Sequence, residues 1–389
     1  MSLAYAGADL APYGRQLQVR AQVQDGMRGD ANAWMDLATI LQLTDRRDLG
    51  LAAQAQALAL GSLYHLPAPA GVTGVRLLAL MAPGDFMTNT PLDFLLEDSD
   101  VALDMLYVGP DLPLPATLPP HDVLFVAIGE SARTQPLLAQ LAPVVATWPR
   151  PVLNRPEMIA HSARDCACGL LAGTPGLLMP TSVALGRTAL AAVDAAALAT
   201  LLGAGDAAAL PFIARPRDAH AGKGLARLDG IEAIAGYLQQ TPGDDFFLSP
   251  FVDYRSADGR YRKFRVALIA GRPYAVHMAI SEHWIVHYLN AGMSENADKR
   301  REEARFMEDF DAGFGRRHAP ALQCIAERLA LDYLVIDCAE TRDGRLLVFE
   351  VDPGAVVHLM DPPDVFPYKA VQMRKVFAAF REMLLAAAR

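Results

Sequence analysis

Cysteine is scarce in this chain, four in 389 residues, and so are aromatic side chains at 7%. Cys166, Cys168, Cys324 and Cys338 are too few for a disulfide framework and fit reduced thiols in a cytoplasm. Cys166 and Cys168 form a C-x-C, but no nearby Cys or His completes a metal site, so they read as ordinary thiols. A basic block is also missing. With a net charge of −9, the composition offers no argument for nucleic acid or a membrane surface as a partner. No apolar run reaches membrane-spanning length, and the first residues lack the basic-then-apolar pattern of a signal peptide. What remains is a well-packed chain, 52% hydrophobic, long enough for two or three domains.

The most informative stretch is Leu331–His358. It reads as two strands, Tyr333–Ala339 and Arg345–Val351, joined by a turn at Thr341–Gly344 whose Asp and Gly suit a hairpin. Side chains alternate along a strand, so Glu350 and Asp352 share a face, and pairing brings Asp337 beside them. Three carboxylates in apolar strands repel one another and are costly to desolvate, so a neutralising cation is expected. Hard oxygen ligands suit magnesium, and the three are read as its ligands.

Upstream the chain divides into segments. Residues 1–70 read as a helical segment, with helices over Tyr13–Met27, Ala33–Leu43 and Gly50–Leu63. Around Gly29 the pattern resembles a tetratricopeptide-like or Sel1-like hairpin. A lone hairpin cannot bury its own face, so it is expected to pack on a neighbouring domain or on a second subunit, which makes a homodimer an expectation. Leu66–Gly71 reads as a linker. Residues 71–150 alternate strand and helix, with strands Gly74–Met81, Val101–Val108 and Asp122–Ala127, and predict a small parallel α/β layer. Loops at the C-terminal ends of such strands often receive ligands, which singles out Asp85, Thr88, Asn89 and Gly129–Ser131. All of these also serve as ordinary turn and cap residues.

Residues 151–389 form the last segment. A helix opens at Asn154 with Arg164 near its end. The hairpin Phe212–Arg227 ends its first strand at Arg215, then carries His220, Gly222, Lys223 and Gly224. Glycine lets backbone N–H groups approach an anion, so this loop is a candidate phosphate-covering flap. Arg265 lies inside an apolar strand, Arg262–Ile269, and needs an anionic partner there. His277, His283 and His287 lie close in sequence, but their spacing does not match a helical zinc motif.

In this order the features resemble the ATP-grasp superfamily, most nearly its RimK and glutathione-synthetase-like carboxylate–amine ligases, over about Val72–Lys369. The resemblance implies an α/β and α+β protein. Two α+β lobes of an ATP-grasp domain, with a junction near 249–254, follow a small pre-ATP-grasp α/β domain and the N-terminal helices. Arg164 and Arg215 stand where the family has nucleotide-binding lysines, and His220–Gly224 matches its mobile loop. Ser249, Phe251 and Val252 match the segment that contacts adenine, with Asp253 beside the ribose. Lys263-Phe264-Arg265-Val266 matches the D-x-R strand, keeping the arginine and replacing the acid. Asn290–Gly292 matches the N-x-x-G turn. Asp337, Glu350 and Asp352 match the metal motif, with Asp in place of Asn. An arginine expected before the turn is replaced by His287 or His283.

The implied activity is amide or peptide bond formation from a small-molecule or peptide carboxylate and an amine, through an acyl phosphate. ATP and Mg2+ are the implied cofactors, with Mn2+ as a substitute. Arg265, Arg215 and Lys223 would stabilise the transferring phosphoryl group, and Asn290 belongs to the catalytic turn. His358 is a candidate acceptor-side contact or base, or else a capping loop histidine. Two readings compete, an ATP-grasp small-molecule kinase and a non-catalytic nucleotide-binding scaffold.

Overall fold

Runs of buried Leu, Val and Phe punctuated by Gly and Pro build three sheets in the computed structural model, which describes residues 2–22, 29–69, 71–203, 211–217, 219 and 222–389. The chain divides into two compact units, and the division does not follow chain order. One unit comprises Met1–Ile159, Leu331–Leu334 and Pro353–Arg389; the other comprises Ala160–Ala330 and Val335–Asp352.

In the first unit the strands are β1 (Leu63–Leu66), β2 (Val75–Met81), β3 (Val101–Tyr107), β4 (Val123–Val126) and β5 (Val152–Leu153), ordered β1-β3-β2-β4-β5. β2 to β5 pair in parallel, as the alternating texture predicts, while β1 adds an antiparallel edge. β1 replaces the start of the expected linker at Leu66. Its Tyr64 buries a ring against Tyr107 while its neighbours face outward, a one-sided pattern too short to read as a strand. Leu77, Leu78 and Leu80 of β2 are fully buried, as expected where helices cover both faces of a parallel strand. The C-terminal helix Lys369–Ala388 contributes Phe380, whose ring lies 5.8 Å from Phe125 and 5.2 Å from Tyr333.

The N-terminal helices Ala11–Ala21, Ala31–Leu43 and Arg47–Leu60 belong to this unit. Asp30 caps the second by accepting from the N–H groups of Asn32 and Ala33. The end of the expected helix Tyr13–Met27 lies outside the described residues. These helices pack within the first unit of their own chain. Buried Gln54 exchanges two hydrogen bonds with the Gly84 backbone, at 2.9 and 2.8 Å. Arg47 grips Asp85, and Tyr5 donates to Asp361.

The second unit carries two sheets. β6 (Leu177–Leu178) belongs to the larger one. β7 (Val183–Gly186), β8 (Phe212–Pro216), β9 (Ala226–Leu228) and β10 (Asp245–Pro250) form an antiparallel sheet ordered β7-β10-β8-β9. Leu190, Leu198, Phe212, Tyr237, Phe246 and Leu248 make its core. β11 (Tyr261–Ile269), β12 (Arg272–Ser281), β13 (Tyr333–Glu340) and β14 (Leu346–Asp352) complete the larger sheet, ordered β12-β11-β13-β14-β6. The hairpin at Leu331–His358 therefore forms as read, with β13 antiparallel to β14. Among the described residues, no helix is long and apolar enough to cross a membrane.

Candidate functional site

Register places the carboxylates. Asp337 on β13 pairs directly with Glu350 on β14, and Asp352 pairs with Val335 at the strand end. On the other side of β13, β11 presents Lys263 and Arg265, two residues apart and so on one face. Arg265 binds Asp337 bidentately, Nε to Oδ1 at 2.7 Å and Nη2 to Oδ2 at 2.9 Å. Lys263 Nζ lies 2.6 Å from the same Oδ2. Asp337 is only 2% exposed. Burial works to raise its pKa, but the charges of Arg265 and Lys263 outweigh that and hold the carboxyl well below the usual range.

Glu350 has its own pair of cations. Arg164 donates to the Glu350 carboxylate and to the Phe349 carbonyl, the latter at 2.9 Å. Arg215, on β8 of the other sheet, brings Nη1 to 4.0 Å from Glu350 Oε2. Burial again works to raise the Glu350 pKa, and Arg164 does most to bring it below the usual value. Arg215 donates through Nη2 to the Ala219 carbonyl, while its buried Nε has no hydrogen-bond partner among the described residues. Burial, and then the neighbouring Arg164 charge, push its pKa down to about 10. A buried donor left unmet is expensive, and an incoming anion would relieve it.

In this structure Arg265 and Lys263 neutralise Asp337, while Arg164 and Arg215 stand beside Glu350. Among the described residues no three or more His, Cys, Asp or Glu side chains are grouped to hold a metal. The donor chemistry of Asp337, Glu350 and Asp352 still suits magnesium, since all three offer hard oxygens on paired strands. Arg164 also differs from expectation. It starts a new helix, Arg164–Leu171, because Ala163 breaks the preceding one with extended backbone.

The flap residues are partly described. His220 lies outside the described residues. Gly222 and Gly224 both take left-handed φ, +72° and +68°, and a methyl group on Gly224 would lie 2.8 Å from Pro216 Cδ. A methyl on Gly222 would meet His287 and Ile285, each at 3.9 Å, so the turn runs past the His287 segment. Lys223 is exposed at its tip. Tyr237 donates to the Gly224 carbonyl at 2.8 Å and anchors the turn.

His287, not the exposed His283, is the histidine that faces this charge cluster. Burial lowers its pKa, and the Lys263 and Arg265 charges lower it further. Its ring accepts from the Asn290 N–H while Asn290 Oδ1 accepts from the His287 N–H, a reciprocal cap. Asn290 therefore shapes the turn. Behind it, buried Lys299 donates to the Ala291 carbonyl and buried Glu303 accepts from Met278 N, which locks the segment to helix Ala297–Glu308. Ser249 lies on β10 opposite Ile213, with Pro250 and Phe251 carrying the chain toward Val252. The Phe251 ring meets Trp284 edge-on at 5.5 Å and lies under the Arg227 guanidinium at 4.6 Å. Asp253 is held by Arg255 through Nε and Nη2.

His358 belongs to the first unit. Its ring packs on Tyr5 and Phe94, and its Nδ1 accepts from Met360 N, the capping role. Asp85, Thr88 and Asn89 are likewise engaged locally: Asp85 by Arg47 and Thr88, Asn89 by both backbone groups of Ala82. Lys263 is the site residue the sequence reading missed as a site residue. The signal was present, since a lysine two positions before Arg265 in an apolar strand shares its face.

No family model and no curated protein sequence matches the chain. Solved structures are similar to it. D-alanine–D-alanine ligase from Bacillus anthracis complexed with ATP is 13% identical, with a TM-score of 0.46, and the match covers 81% of this chain and 98% of that one. VanG D-Ala:D-Ser ligase from Enterococcus faecalis is 11% identical, with a TM-score of 0.48, covering 80% and 99%. The RimK domain ATP-grasp protein from Sphaerobacter thermophilus is 16% identical, with a TM-score of 0.43, covering 79% and 99%. In overall trace, the chain is similar to solved ATP-grasp and D-alanine ligase structures.

Proposed function

We propose that this chain is an ATP-dependent carboxylate–amine ligase of the ATP-grasp type. The observation that carries the reading is the buried Arg215 Nε, unmet among the described residues, beside the Glu350 that Arg164 binds and close to the Lys263–Arg265–Asp337 cluster on the paired strands. A polyphosphate supplies the acceptors these groups lack, and arginine binds it bidentately. Arg164 and Arg215 would take the nucleotide phosphates, with Gly222, Lys223 and Gly224 covering them and Ser249–Val252 lining the base. Arg255 must release Asp253 before it can meet a ribose.

In the reaction, an oxygen of the substrate carboxylate attacks the γ-phosphorus. The bond to the bridging oxygen breaks and ADP leaves with its electron pair. An amine nitrogen then attacks the acyl carbon of the acyl phosphate, inorganic phosphate departs, and the amine loses a proton. Arg215, Arg265 and Lys223 stabilise the charge that develops on the transferring group. Mg2+, or Mn2+ in its place, would be held by Asp337, Glu350 and Asp352 and would neutralise phosphate charge. His287, neutral at pH 7 and fixed by the Asn290 cap, presents an N–H where the family has an arginine. The proposed location is the cytoplasm, where ATP is available.

Thermal shift with ATP and Mg2+, followed by ADP release across acid–amine pairs, tests the reading. ADP release that requires both acid and amine supports the ligase. Release with one acceptor alone favours a small-molecule kinase, and no nucleotide-dependent shift favours a scaffold.

A further inference from the structure

Arg227 on β9 pairs in register with Ile213 on β8, and Ile213 pairs in turn with Ser249 on β10. Side chains level with one another across a sheet share a face, and Arg215 lies two residues on from Ile213. The face opposite the Phe212–Leu248 core therefore carries Arg215, Ile213, Ser249 and Arg227. Phe251 follows Ser249 by two residues, and its ring meets Trp284 edge-on at 5.5 Å. Buried Tyr254 donates to the Trp284 carbonyl at 2.6 Å and fixes that segment. The flat side of the Phe251 ring is covered by the Arg227 guanidinium, whose central carbon stands 4.6 Å from the ring centre. Asp229 keeps it there by accepting from Nε at 2.9 Å, although the two side chains are 38% and 75% exposed. Stacked groups need about 3.5–4.0 Å between carbon atoms, so no second plane fits between this ring and the guanidinium.

We propose that Arg227 is a displaceable cover on the base-binding surface. Its guanidinium occupies the face of Phe251 that the purine takes when ATP binds, and it swings into solvent to admit the base. The inference rests on the nucleotide reading above and concerns the base alone. An exposed cation–π contact and an exposed ion pair each contribute little, so the cover releases at small cost. That cost lowers the affinity for any ligand carrying a base, and leaves a ligand made only of phosphates untouched. Arg227 thus sets specificity by opposing the base, whereas a basic side chain on the face that carries Arg215 would ordinarily favour an anion.

The test is calorimetric titration of the full chain with ATP and, separately, with inorganic tripolyphosphate, both in Mg2+. Wild type, Arg227→Ala, Arg227→Lys and Asp229→Ala are compared, and circular dichroism checks folding. Arg227→Ala is expected to bind ATP about three- to sixfold more tightly, with no gain for tripolyphosphate. Arg227→Lys keeps the charge and loses the planar stack, so its ATP affinity should fall between the two. Asp229→Ala frees the guanidinium without removing it and should shift ATP binding in the same direction by less. ATP affinity that is unchanged or weaker in Arg227→Ala overturns the proposal and leaves the nucleotide reading standing. An equal gain for ATP and tripolyphosphate also overturns it, because the effect then lies outside the base. Absence of ATP binding in wild type and every variant overturns the nucleotide reading as well. Asp229→Ala decides the matter if Arg227→Ala does not fold.

Discussion

Two polar regions of this chain look alike in sequence and differ in how their charges are met. The loop Ala82–Thr90 carries Asp85, Thr88 and Asn89 after a buried parallel strand, where ligands often bind. Every one of them is met by its own chain. Asp85 has Arg47, Asn89 has both backbone groups of Ala82, and Gly84 has Gln54. The strands Tyr261–Ile269 and Leu346–Asp352 also carry charges among apolar residues, yet beside them Arg215, on Phe212–Pro216, keeps a buried donor unmet among the described residues. A polar group that its own fold has satisfied offers little to a ligand, whereas a buried unmet one has free energy to gain from it.

The contrast sharpens into measurements. Asp337→Asn removes the buried carboxylate that Lys263 and Arg265 share and should cost about 3–5 kcal/mol in chemical denaturation at neutral pH. Because the folded-state pKa of Asp337 is depressed, its stabilisation is complete above the usual 3.8 and is lost as pH falls through the lower folded value. The gap between wild type and variant should therefore close below pH 3.8; a gap independent of pH would refute the pairing. Arg215→Met should weaken ATP binding by about 100-fold, the loss of a charge-assisted contact. It should not lower the unfolding temperature, since it removes a largely desolvated charge whose Nε is unmet among the described residues. A variant that unfolds more easily and still binds would place Arg215 with the satisfied groups.

In the self-satisfied region, Gln54→Ala breaks two buried hydrogen bonds and should cost about 1–3 kcal/mol without changing ATP affinity. Altered affinity there would mean the Ala82–Thr90 loop also serves the ligand. The smallest effect concerns His287. Its folded pKa is lowered, so it stays neutral at pH 7 and the folded state loses stability as pH falls below 6.5. NMR titration should give a midpoint below 6.5, moving back toward it in Lys263→Met. An unmoved midpoint would separate His287 from the cation cluster.

Much of the fold was legible because each element announces itself locally. The strand Val75–Met81 and its parallel neighbours, the hairpin at Tyr333–Asp352 and the closing helix Lys369–Ala388 follow from apolar runs, turn residues and periodicity. The strand Leu63–Leu66 was not legible, because four residues with one buried ring carry too little pattern. Nor was the membership of the units: Leu331–Leu334 and the C-terminal helix join the first unit through long-range packing.

At the site, the sequence by itself determined which chemistry is present: three carboxylates, with Arg164, Arg215, Lys263 and Arg265 in or beside apolar segments. It also determined that Lys263 and Arg265 share a face, and Glu350 and Asp352 likewise, since alternation is a property of any strand. Which cation meets which carboxylate was decided only by tertiary structure. Strand order brings Lys263 and Arg265 to Asp337, and the meeting of two sheets brings Arg215 to Glu350. Charge interactions depend on distance and burial, and both are set by residues far apart in the chain.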